Sequence, residues 1–126
     1  MIRKRIRLAQ NFFKDKKLVA SIVDTSSISK EDVVYEIGPG EGIITAELAR
    51  KAGRVIAIEK DVELAGRLRE NFRDRENVDI REGDFRWYRI GDREYKIFSN
   101  LPFNITAEVI KRLIFGNNPP IEAYLV

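Results

Sequence analysis

The segment Asn100-Leu-Pro-Phe-Asn-Ile-Thr106 directly follows the apolar run Lys96-Ile-Phe-Ser99. It sets an amide, a rigid proline and a phenyl ring at the end of what reads as a buried strand. Turn chemistry accounts for Asn100 and Pro102, but it gives no reason for Leu101 and Phe103. Three other stretches have the same character. Glu36–Gly42 (EIGPGEG) spaces glycines at 38, 40 and 42, where backbone could approach a ligand closely or simply make a tight turn. Glu59 closes the run RVIAIE, 21 residues after Gly38. An acid there is placed to accept from both hydroxyls of a ribose, or to cap the following helix. Asp84 sits in EGDF with Phe85 beside it, a carboxylate for an amino group next to an aromatic face, or an ordinary turn aspartate. The chain contains no histidine and no cysteine. Imidazole acid–base chemistry, thiolate nucleophiles and zinc–cysteine sites are excluded, leaving carboxylates, amides, backbone groups and a cofactor.

The elements that must position these residues follow from periodicity. Apolar runs predict strands at Val33–Gly38, Arg54–Glu59, Val78–Asp84, Tyr95–Asn100 and Glu122–Val126. Helical spacing predicts helices at Asp15–Asp24, Ile43–Ala52, Asp61–Phe72 and Ala107–Phe115, with Asp61 as an N-cap. Alternating strands and helices imply an α/β fold, a mostly parallel sheet with helices on both faces and right-handed crossovers. In such sheets ligands bind beyond the carboxyl ends of the strands. Gly38–Gly42, Glu59–Lys60, Asp84–Phe85 and Asn100–Phe103 are therefore expected on one rim.

At 126 residues the chain reads as one domain, 44% hydrophobic and 34% charged. No apolar run approaches the roughly 20 residues of a membrane span, and nothing marks a secretory signal or a metal site. The absence of cysteine agrees with a cytoplasmic setting. Net charge is +3, yet residues 1–17 alone carry seven Lys/Arg against one Asp. A basic arm on a mildly acidic body points to a polyanion partner, or to a solvated tail. The chain ends on the apolar AYLV, so it is expected to be a piece of a longer protein.

The dinucleotide fingerprint G-x-G-x-x-G requires glycine at position 43, which is Ile43. The spacing E-x-G-x-G-x-G resembles instead the S-adenosylmethionine loop of class I methyltransferases, and Asn100–Phe103 (NLPF) resembles the N/D-x-P-Y/F motif of enzymes that methylate exocyclic amines. With Gln10–Phe13 (QNFF), VIAIEKD and EGDF in order, the whole chain resembles the ribosomal RNA adenine N6-dimethyltransferases. That family comprises the housekeeping small-subunit dimethylases and the erythromycin-resistance methylases. DNA adenine methylases with this motif order usually carry a second proline where this chain has Leu101.

The resemblance implies a Rossmann-like class I methyltransferase core with strand order 3-2-1-4-5, spanning 1–126, with 1–13 a basic arm that brings a cofactor-site motif. It implies S-adenosyl-L-methionine as cofactor and ribosomal RNA as partner. Asn11, Phe13, Gly38, Glu59, Asp84 and Asn100 fall on the family's cofactor-contacting positions, with Gln10 and Gly40 beside them. Lys60 and Phe85, next to the two rim acids, complete the expected cofactor set. Asn100, Leu101, Pro102 and Phe103 form the expected catalytic set. The Asn100 side-chain oxygen and the Leu101 carbonyl would accept from the target amine, Pro102 would fix the turn, and Phe103 would stack on the base.

On branch, Leu101 matches the housekeeping group, while Ala9, TAEVIKRLIF and IEAYLV resemble the resistance group. The reading taken is methylation of 23S rRNA in the macrolide-resistance manner; the alternative is a small-subunit (16S) dimethylase. The family continues with further strands and a helical RNA-binding domain, so a core that binds cofactor or RNA with little turnover is also carried. A nicotinamide oxidoreductase is disfavoured by Ile43. The chain is expected to be a monomer whose open sheet edge could pair with a second copy.

Overall fold

A computed structural model describes residues 15–100 and 106–126. Its strands are β1 (Val33–Ile37), β2 (Arg54–Glu59), β3 (Val78–Glu82), β4 (Lys96–Ser99) and β5 (Glu122–Leu125). Its helices are α1 (Lys16–Thr25), α2 (Ile43–Lys51), α3 (Val62–Asn71) and α4 (Thr106–Phe115). All pairings are parallel and the order is β3-β2-β1-β4-β5, the expected topology. Leu101, Pro102 and Phe103 lie outside the described residues, as do Gln10, Asn11 and Phe13.

Side chains alternate across the sheet. Val34 of β1 and Val55 of β2 pack with Val19, Val23, Ile44 and Leu48 of α1 and α2. On the same face, Ala57 and Ile80 meet Ala65 and Leu68 of α3. Tyr35, Ile37, Ile56, Ile58 and Ile97 face the other way, onto Val109 and Leu113 of α4 and onto Phe85. Each buried Val, Leu or Ile among them contributes about 1.5–3 kcal/mol of transfer free energy. The connection from β3 to β4 contains no α-helix, so this second face is covered partly by the irregular chain around Phe85 and Tyr88.

At the amino-terminal end of the sheet a buried ammonium fixes β4. Lys96 Nζ donates to Asp32 Oδ2 and to Ser27 Oγ, both at 3.0 Å. At the carboxyl end the strands stop one or two residues earlier than the apolar runs predicted, at Ile37, Glu82 and Ser99. The cause is visible at Gly38, which turns to φ +64° while its N–H still donates to the Ile58 carbonyl at 3.0 Å.

Asp61 caps α3, accepting from the Leu64 N–H at 3.0 Å, as its sequence position predicted. Gly42 begins α2 at φ +89°, and a methyl group added there would meet the Phe72 ring at 2.7 Å. Gly66, inside α3, has nothing within 4 Å. Gly42→Ala is therefore expected to lose about 1–3 kcal/mol and Gly66→Ala to gain about 0.5–1 kcal/mol. Urea unfolding checks both; equal shifts would contradict this packing.

Candidate functional site

Three of the four segments expected on one rim meet there. Beyond the carboxyl ends of β1, β2 and β3 lies a cavity of about 490 Å³, lined by Gly38, Glu59, Lys60, Gly83, Asp84 and Phe85, with Ile37 and Ile58 among its apolar walls. Five predicted cofactor residues, Gly38, Glu59, Lys60, Asp84 and Phe85, thus come together from three separate loops. Gly40 and Asn100 lie at the same end of the sheet but outside this lining. Asn100 follows Ser99, whose hydroxyl donates to the Ile37 carbonyl and ties the end of β4 to that of β1.

The chemistry of the donor set suits a nucleoside. Gly38 and Gly40 both adopt positive φ, and an added Cβ would meet nothing within 4 Å at either, so bare backbone faces open space. Glu59 is only 7% exposed. Its Oε2 accepts the Asp61 N–H at 2.9 Å, while Oε1 accepts no hydrogen bond among the described residues. Sequence reasoning left the helix start to Asp61 alone. The structure gives Glu59 a share of it through Oε2.

Asp84 is held by a residue that sequence reasoning did not single out. Arg86 donates from Nη2 to Oδ2 at 2.6 Å, from Nε to Oδ1 at 3.1 Å and from its backbone N–H to Oδ1 at 3.0 Å. Lys60 Nζ lies 3.8 Å away, with its side chain 74% exposed. These guanidinium hydrogen bonds, opposed by burial and reinforced by the positive charge of Lys60, hold the Asp84 carboxyl at about 2. It is therefore an acceptor across all ordinary pH, and a carboxylate has lone pairs beyond those Arg86 uses. The only sequence signal was an Arg two places after the Asp.

Glu36, quoted in the glycine motif but given no role, is 1% exposed within β1. The Thr45 hydroxyl of α2 donates to its Oε1. Burial pushes its carboxyl up to about 8, against the hydrogen bond from Thr45 and with the help of the Glu59 charge. The signal available in the sequence was an acid inside an otherwise apolar strand. Among the described residues no group of three or more acidic side chains could hold a metal, and no helix is long and apolar enough to cross a membrane.

A parallel 3-2-1-4-5 sheet whose first strand leads into a positive-φ glycine turn, with one acid closing the second strand and another just past the third, is a Rossmann-like class I methyltransferase core. The model of the ribosomal RNA adenine dimethylase family matches residues 1–126, and the chain belongs to that family. It is 37% identical over 120 residues to an rRNA adenine N-6-methyltransferase of Bacteroides fragilis, covering 93% of this chain and 45% of that protein. It is 39% identical over 119 residues to a ribosomal RNA small subunit methyltransferase A of Halothermothrix orenii, covering 87% and 40%. The crystal structure of the 23S rRNA methyltransferase ErmE superposes with a TM-score of 0.77 at 30% identity, over 83% of this chain and 43% of that one. The chain thus spans less than half the length of these relatives.

The sign of the Glu36 effect is fixed by its raised value. The folded state binds the proton more tightly than the unfolded state, so this contribution is complete below about 4.5 and is lost as pH rises towards about 8. Glu36→Gln is expected to flatten the stability profile across that window and to raise stability relative to wild type at pH 8. Urea midpoints from pH 5 to pH 8 check this; parallel profiles for the two proteins would contradict it.

Proposed function

We propose that this chain is the cofactor-binding part of an enzyme that transfers methyl groups from S-adenosyl-L-methionine to N6 of adenine in ribosomal RNA. The observation that carries the reading is the convergence of Gly38, Glu59, Asp84 and Phe85 on one cavity, in a chain of the rRNA adenine dimethylase family. The leading target is 23S rRNA, as for the ErmE neighbour. A small-subunit target is the second reading, favoured by the name of the Halothermothrix orenii relative. The working protein is read as a cytoplasmic monomer.

When bound, S-adenosylmethionine supplies an electrophilic methyl group on a sulfonium. Gly38 and Gly40 give it bare backbone to lie against. Glu59 accepts from the ribose hydroxyls through the oxygen that Asp61 does not use. Asp84, held ionised by Arg86, accepts from the adenine amino group, and Phe85 lies beside the ring. Lys60 balances the charge of the rim acids. Gln10, Asn11 and Phe13 of the amino-terminal arm are assigned to the same cofactor from the family motif.

The target amine is a poor nucleophile because its lone pair is delocalised into the adenine ring. The Asn100 side-chain oxygen and the Leu101 carbonyl accept its two N–H groups and favour a pyramidal nitrogen with an available lone pair. By the family motif, Pro102 would restrict the backbone that offers the Leu101 carbonyl. Phe103 stacks on the extruded base, an interaction worth about 1–3 kcal/mol. Catalysis is then a matter of positioning. The amine sheds its proton after it has become an ammonium, which suits a chain without histidine.

Incorporation of tritiated methyl groups into adenines of naked rRNA tests this reading. With Asn100 serving mainly the target amine and only secondarily the cofactor, Asn100→Ala is expected to abolish incorporation while calorimetric affinity for S-adenosylmethionine stays within a few-fold. Full activity in that variant would contradict the role of Asn100. No incorporation by the wild type would favour a core that binds without turnover.

A further inference from the structure

Phe85 has a second neighbour besides the cofactor cavity. The Arg112 guanidinium of α4 lies 4.7 Å from its ring centroid. Past that stack, between α4 and the chain leading from β3 to β4, a separate cavity of about 410 Å³ is lined by Arg89, Tyr95, Arg112, Asn117 and Asn118 together with Phe85. Two arginines and no acidic residue line it.

The polar atoms of this cavity divide into satisfied and unsatisfied ones. Tyr95 donates its hydroxyl to the Asn118 carbonyl at 2.5 Å, and the Asn118 amide donates to the Asp92 carbonyl at 2.8 Å. Arg112 Nη1 is buried and has no hydrogen-bond partner among the described residues. The stack on Phe85 engages the face of the guanidinium but not its in-plane N–H groups. Arg89 makes no ion pair among the described residues and Asn117 is exposed at the mouth. A buried, unpaired cation donor is costly unless an anion meets it. Burial also draws the Arg112 pKa downwards, as it does for a cation lacking a partner.

We propose that this second cavity is a phosphate-binding site, with Arg112 and Arg89 as its charged donors and Asn117 as a neutral one. Guanidinium groups match phosphate oxygens through paired, planar N–H donors. The phosphate comes either from an RNA backbone or from a free small molecule. The site is distinct from the methyl-transfer cavity, shares only the Phe85 wall with it, and does not depend on the methyl-transfer reading.

The test is calorimetric titration of inorganic pyrophosphate into the 126-residue chain at constant ionic strength in chloride, with Arg112→Met and Arg89→Met beside the wild type. Arg112→Met keeps an aliphatic stem against Phe85. Arg89→Met changes an exposed residue and leaves the core intact. Saturable binding by the wild type, weakened at least tenfold in each variant, is expected. A single-stranded RNA oligonucleotide titrated at several salt concentrations identifies the source. A backbone phosphate predicts that Arg112→Met lowers the slope of log K against log salt by about 0.7; an unchanged slope assigns the site to a free phosphate. Failure of pyrophosphate to bind, or equal binding by all three proteins, overturns the proposal whatever the RNA titration gives.

Discussion

The parallel, in-step pairing of β1 with β2 is the constraint on which the site depends. Ile37 pairs with Ile58, and Glu59 with Glu82. The hydrogen-bond ladder then runs one residue further on each side, from the Gly38 N–H to Ile58 and from the Gly83 N–H to Glu59 at 2.8 Å. Three chain segments far apart in sequence therefore leave the sheet at nearly the same level. A one-residue slip of β2 would turn Glu59 to the opposite face and take it out of the cavity lining. Parallel strands need crossovers, and the helices that make them bury both faces of the sheet, so core and site share a single origin.

The acids of the rim are sorted by environment. Glu36, buried against α2 with one hydroxyl partner, favours the neutral form near neutral pH, whereas Asp84, clamped by Arg86, stays ionised. Glu59 is nearly buried, with the Asp61 backbone N–H on one carboxylate oxygen. Three carboxylates in one sheet end would repel one another if all were charged and close together. Keeping Glu36 protonated and neutralising Asp84 with Arg86 removes much of that cost. With no histidine or cysteine in the chain, such differences among carboxylates and amides are the means of tuning this surface.

The strands, the helices and three of the rim segments were legible because they rest on local patterns: apolar runs, glycine spacing and acids at strand ends; the strand order was legible only through the family resemblance. Strand ends were legible only to within one or two residues, since hydrophobicity does not reveal where Gly38 turns to positive φ. Arg86, Glu36 and Arg112 were not legible as site residues. Each acquires its role from a partner that only the tertiary fold supplies: the Asp84 side chain after its turn, Thr45 across the sheet-to-helix packing, and Phe85 packed against α4. Conversely, Leu101, Pro102 and Phe103 were assigned wholly from a sequence motif, and their part in the account rests on that motif.

The central claim is that the cavity at this rim is an adenosine site of the S-adenosylmethionine kind, with Glu59 as the ribose acceptor. Calorimetric titration of the wild type and of Glu59→Ala with S-adenosylmethionine and with NAD tests it most directly. The account predicts saturable binding of S-adenosylmethionine by the wild type, at least tenfold weaker binding by Glu59→Ala as expected for lost hydrogen bonds to a charged group, and no comparable affinity for NAD. Tighter binding of NAD, or S-adenosylmethionine affinity untouched by removal of the Glu59 carboxylate, would contradict it.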